Sequence, residues 1–179
     1  MTEPGNIALI SFGYFDRKLM TLLAEMVEPE IPFPVLIREG MLDISEFYNP
    51  KRNQYDGNLL LKELEYRYIG EFYKTIGIFN VDLFIPILTY IFGQAYLNGR
   101  CGIVSVHRLR NERYGLIPDE QLLLDRLVKE VIHELGHTLG LIHCIHSECV
   151  MRSGTYVEDI DQKTTHFCEK CRNFLNIDH

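Results

Sequence analysis

No stretch of this 179-residue chain concentrates charge of one sign. Lysine and arginine are scattered, and acidic residues outnumber them 25 to 18, for a formal charge of −7. The positive footprint of a protein that grips nucleic acid or an anionic membrane is therefore missing. Long apolar runs are missing too, since no segment reaches the roughly 18 residues expected of a spanning helix. The chain opens MTEPGNIALISFG, with Glu3 and Pro4 where a secretory leader would be basic. Repeats and low-complexity tracts are also absent. These features lead us to expect one cytoplasmic domain over 1–179, long enough to bury a proper core.

Cysteine is scarce until late in the chain. Cys101 stands alone before residue 144, whereas Cys144, Cys149, Cys168 and Cys171 crowd the end. In a reducing compartment such clustering points to metal or redox chemistry rather than structural disulfides. Cys101, in an expected strand, reads as a small buried apolar residue.

Apolar periodicity predicts an α/β fold. Strands are expected at Asn6–Gly13, Pro34–Glu39 and Lys74–Ile85, and helices at Phe15–Val27 and Leu59–Tyr73. Leu19, Leu22, Leu23 and Met26 share one face of the first helix. Leu60, Leu61, Leu64, Tyr68 and Phe72 share one face of the second. The polar stretch EFYNPKRNQYDGN between them has the punctuation of a surface loop. Asn98–Gly99 suits a type I′ turn, which predicts a hairpin here. A long helix follows, with Pro118 in its first turn and Asp119 and Glu120 near the positive end of its dipole.

The densest chemistry lies in HELGHTLGLIHCIHSECVM, residues 133–151. His133 and His137, four apart on a helix, present both imidazoles on one face. Glu134 is placed to take a proton from a metal-bound water without being a ligand. Gly140 supplies the left-handed turn that ends the helix, and His143 returns as a third nitrogen. Three histidines and one open position describe a catalytic zinc site, whose water becomes a nucleophile near neutral pH. Iron, cobalt or nickel would also fit three histidines.

Cys144 and Cys149, with Cys168 and Cys171 in CEKC, have the arrangement of a closed four-cysteine zinc site. Its charge of −2 calls for backbone N–H groups around the sulfurs. His143 and Cys144 are adjacent, yet each completes a different set. We therefore expect two zincs, one working and one bracing. His146 and His166 read as solvent-facing loop residues.

HELGHTLGLIH resembles the metzincin zinc peptidases, and the added HCIHSECVM and CEKC are similar to the archaemetzincins. The resemblance implies a metzincin-like fold: a mostly parallel sheet, one antiparallel edge strand (here Phe92–Leu97) lining the cleft, and an active-site helix. In it, residues 1–140 form an N-terminal subdomain and 141–179 a C-terminal one. It makes Met151 the methionine of a turn beneath the catalytic zinc. Some metzincins carry a tyrosine two residues after that methionine, and here Ser153 stands there. Tyr156 is close but is not expected to be a ligand. Because the sequence opens close to its first expected strand, we expect no pro-segment bearing a blocking cysteine, and hence narrow specificity for peptides or small proteins.

Three readings remain. The first is a zinc peptidase with Glu134 as general base. The second is a silent peptide-binding protein on the same fold. The third is a CxxC oxidoreductase, which requires Cys168 and Cys171 to be free of metal.

Overall fold

The computed structural model describes residues 5–177. Glu3 and Pro4, the acidic and proline residues at the start, lie outside the described residues. Strand β1 (Ile7–Phe12) is buried at every position and sits between two parallel neighbours, β2 (Val35–Gly40) and β5 (Lys74–Phe79). Strands covered on both faces need no polar side, which is why NIALISFG reads as one apolar run. Next come β8 (Cys101–Ser105), parallel to β5, and then β7 (Gly93–Ala95), antiparallel on the edge. The order is β2-β1-β5-β8-β7. The sheet is thus mixed and mostly parallel, with one antiparallel edge strand.

Helices α1 (Arg17–Val27) and α3 (Glu120–Thr138) cover one face, and α2 (Gly57–Arg67) covers the other. Two short helices, α4 (Val157–Gln162) and α5 (Glu169–Leu175), end the described chain. Leu141, Val150, Met151, Ile160 and Phe167 join the same buried cluster as α1 and α3. The cysteine-bearing segment therefore shares that core.

Several elements differ from expectation for local reasons. Helix α1 begins at Arg17 because Asp16 caps it, accepting a hydrogen bond from Lys18 N at 2.7 Å. Its buried stripe is Met20, Leu23, Ala24 and Val27, leaving Met26 exposed. Helix α2 stops at Arg67, and Gly70 is left-handed beyond it (φ 75°). Tyr68 and Phe72 still pack on that face from outside the helix. The expected loop holds a small hairpin, β3 (Tyr48–Asn49) and β4 (Gln54–Asp56). It forms because β4 finds a parallel partner in β6 (Leu83–Phe84), a pairing remote in sequence.

The third expected strand breaks after Phe79. Ser105 Oγ binds Val81 O, and Arg108 grips Asp82 at 2.6 and 2.8 Å, drawing the chain into the second sheet. Only three residues of Phe92–Leu97 form the edge strand. The hairpin turn is not type I′. Asn98 alone is left-handed (φ 53°), and Gly99 N–H closes the turn on Tyr96 O. Asp119 is the cap of α3, accepting from Leu122 N, so Pro118 lies just outside the helix.

The hairpin loop has a second use. Asn98 N–H donates to His137 O at 2.8 Å, and Lys74 Nζ donates to Gly99 O and Thr138 O at 2.7 and 2.8 Å. A buried cation thereby satisfies the carboxyl end of α3, where the helix dipole is negative. Burial lowers the Lys74 pKa, with Arg100 adding to the effect. The Lys74→Met substitution removes the donor from one buried and one part-buried carbonyl. It should cost about 2–3 kcal/mol, read as a lower denaturant midpoint at unchanged slope.

Candidate metal centre

Helix α3 carries the His133 and Glu134 side chains into the interior, where they are 6% and 4% exposed. Gly140, left-handed at φ 99°, ends it, and Leu141 N–H closes back on Gly136 O at 2.9 Å. The chain then doubles back so that the His143 ring lies 5.3 Å from His133 and 4.9 Å from His137, centroid to centroid. One ring nitrogen from each of the three histidines lies within 4.8 Å of the other two.

Two hydrogen bonds set the proton positions. His133 Nδ1 lies 2.8 Å from Val150 O, and His137 Nδ1 lies 2.7 Å from Leu141 O. A carbonyl only accepts, so each Nδ1 carries the hydrogen and each Nε2 carries a lone pair. Those two Nε2 atoms face each other at 3.1 Å. Two lone pairs at that distance repel unless a cation lies between them. Tetrahedral zinc with bonds of about 2.0–2.1 Å would separate two nitrogens by about 3.3 Å. The residues therefore fit zinc. Burial pushes the pKa of His133 well down, Lys163 adding to it, and burial likewise lowers His137 and His143, so all three favour the neutral ligand form.

Glu134 stands beside this group. Burial, then the Glu130 charge, holds its carboxyl well above the usual range. One oxygen, Oε2, has no hydrogen-bond partner among the described residues. Gly93 of β7 makes room for it: a Cβ there would come within 2.7 Å of both Glu134 Oε1 and Ile103 O. The edge strand approaches the acid only because that position is glycine.

The four late cysteines form a second group. Sγ of Cys144 lies 3.7 Å from that of Cys168, and Cys149 lies 3.8 Å from Cys171. Tetrahedral zinc with Zn–S bonds near 2.3 Å would set sulfurs about 3.8 Å apart. His146 N–H points at Cys144 Sγ (3.5 Å) and Cys168 N–H at Cys149 Sγ (3.4 Å), as thiolates need. Burial raises the Cys149 and Cys171 pKa values, so a metal entering here would have to displace protons. Cys101 belongs to neither group; it is 2% exposed, and burial pushes its thiol up to about 12.

Met151 is fully buried and lies under α3, where Gly136 receives its sulfur. A Cβ at Gly136 would sit 2.4 Å from Met151 Sδ. His146 is exposed, and His166, though exposed, is paired with Glu30.

A cleft of about 570 Å³ opens over the histidines, walled by β7 on one side and by Ser153–Tyr156 on the other. Tyr156 is 63% exposed on that rim. Strand β7 has a sheet neighbour on one side, and its other side lines the cleft. Glu130 and Lys163 also line it, and sequence reading missed both. Glu130 was open to discovery, one turn before Glu134 on the same helix face. Lys163 comes from a distant loop and carried no signal.

The sequence pattern of Peptidase family M54 matches residues 25–176, a span that includes both candidate ligand groups. The class is thereby a zinc metallopeptidase. An archaemetzincin from Thermococcus kodakarensis is 38% identical over 176 residues, covering 94% of each chain. One from Saccharolobus solfataricus is 41% identical, covering 96% of this chain and 92% of its own. Among solved structures, a zinc-dependent peptidase from Methanocorpusculum labreanum superposes with a TM-score of 0.88 at 31% identity, covering 96% of this chain and all of its own. The archaemetzincin of Methanopyrus kandleri gives 0.83 at 32% identity, covering 98% and 96%. The chain belongs to Peptidase family M54, with the archaemetzincins.

The packing of Gly136 on Met151 yields a test. Overpacking costs about 1–3 kcal/mol, against a helix-propensity gain of about 1 kcal/mol. Gly136→Ala should therefore lower the melting temperature. It should also weaken zinc retention by the histidine group, as read by metal content after dialysis.

Proposed function

We propose that this chain hydrolyses peptide bonds at the three-histidine group. In this reading His133, His137 and His143 hold a catalytic zinc, and Glu134 is the general base. Cys144, Cys149, Cys168 and Cys171 hold a second, structural zinc. The observation that carries the proposal is the pair of imidazole lone pairs facing each other at 3.1 Å beside a buried carboxylate, in a cleft. We further propose that the chain acts as one metallopeptidase domain. Residues 1–140 would supply the sheet and active-site helix, and residues 141–179 the metzincin-type methionine turn at Met151 and the four-cysteine site.

Zinc, when bound, supplies Lewis acidity, polarising the scissile carbonyl and acidifying the attacking water. Glu134 takes the proton as the water oxygen bonds to the carbonyl carbon. It then returns that proton to the amide nitrogen as the C–N bond breaks, giving a carboxylic acid and an amine. Glu134 lines the same cleft as the three histidines and keeps Oε2 without a hydrogen-bond partner among the described residues, which leaves it placed to take that proton. The free side of β7 would align an extended peptide through main-chain hydrogen bonds. Cysteines that serve as metal ligands need a reducing environment, so a cytoplasmic setting belongs to the same reading.

The Glu134→Gln variant should lose peptide hydrolysis by at least a hundredfold while keeping its zinc. Full activity in that variant would overturn the mechanism, and hydrolysis absent from the wild type as well would favour a silent peptide binder. Elemental analysis should find two zincs per chain, one removed by mild chelation and one retained. Four thiols titrating only after the second metal is stripped would exclude an oxidoreductase role for Cys168 and Cys171. Protonation competes with zinc, and burial depresses all three histidines. Retention at that group should therefore persist through the ordinary histidine value of 6.5 and fail only at lower pH, read by metal content after equilibration.

A further inference from the structure

Lys163, just beyond α4, is 4% exposed yet lines the cleft together with Glu130, His133 and Glu134. An ammonium has three N–H donors and needs three acceptors when buried. Lys163 Nζ has two among the described residues: Glu130 Oε1 at 3.2 Å and Arg152 O at 3.3 Å. Its third neighbour, His133 Nδ1 at 3.5 Å, already donates to Val150 O and has no lone pair to offer. Both real contacts are long for charge-assisted bonds, which run about 2.7–2.9 Å. Other buried cations of this chain are held tighter. Arg126 reaches both oxygens of Asp161 at 2.7 Å, and Lys129 reaches Asp125 at 2.6 Å.

We propose that Lys163 binds a carboxylate of the substrate, so that peptides with a negative charge next to the scissile bond are preferred. The inference rests on the peptidase reading above and adds a substrate class to it. A loosely held cation on a cleft wall is costly to bury and gains most from an incoming anion. Its contact with a ring of the metal-ligand group keeps the reach short. At about 3.3–3.6 Å per residue of extended chain, the carboxylate belongs to a residue adjoining the cleaved bond. An acidic side chain and a free C-terminus offer the same chemistry, and the second would make the protein an exopeptidase.

The test uses two matched pairs of peptides. One pair has Asp or Asn beside the cleaved bond with an amidated C-terminus. The other ends one residue beyond the bond in a free carboxylate or an amide. Wild-type kcat/KM is measured on all four, and their affinities are measured by fluorescence anisotropy on the Glu134→Gln variant. One pair should favour its carboxylate member about ten- to hundredfold, and which pair does so identifies the source of the charge. Lys163→Met should bring that ratio close to one. Where this variant does not fold, Glu130→Gln with Lys163→Met removes the whole ion pair and serves instead. Equal cleavage and equal binding within both pairs would overturn the role of Lys163, as would a preference that survives its removal. Carboxylate-selective binding without any wild-type cleavage would keep Lys163 and sink the peptidase reading.

Discussion

Two hydrogen bonds from imidazole to backbone, His133 to Val150 O and His137 to Leu141 O, are the constraint on which the rest of the site depends. They place hydrogen on each Nδ1 and turn both Nε2 lone pairs to one point. Both acceptors lie in the segment after α3, so ligand orientation depends on how that segment folds back. Gly140 starts the return, and Cys144 N–H closes it by donating to Met151 O at 3.0 Å. The proposed structural zinc would lock the same stretch, since Cys144 and Cys149 flank the turn that presents Val150. The two candidate ligand groups are thus chemically separate and mechanically joined.

Several titratable groups are buried around this arrangement. Glu130, His133, Glu134 and Lys163 are all buried within the cleft wall. A core of this kind is expensive unless its charges are paired or held for chemistry. Lys163 offsets Glu130, while Glu134 keeps an oxygen without a hydrogen-bond partner among the described residues. Elsewhere the buried charges have plainly structural duties: Lys74 ends α3, and Arg126 ties α3 to Asp161 of α4 at 2.7 Å.

The central strands and the three long helices were legible because each carries its own periodicity or is apolar throughout. The errors fell where a remote partner decides. Strands β3, β4 and β6 pair across the chain and show no local pattern. The turn at Asn98 departs from type I′ while Asn98 N–H donates to the end of α3, a contact no local rule foresees. At the site, the histidines and cysteines could be named because their spacing is short and chemically constrained. Gly93, Gly136 and Lys163 could not, since their importance lies in what approaches them.

The sequence by itself determined the class of fold, the order of the long elements and two candidate ligand sets. Each of these follows from residues close enough in the chain for geometry to be computed along it. Tertiary structure decided which lone pairs meet, which oxygen of Glu134 lacks a partner, and which cation enters the cleft. Those outcomes depend on segments distant in the chain, as His133 and Lys163, thirty residues apart, are. Packing alone brings such segments together.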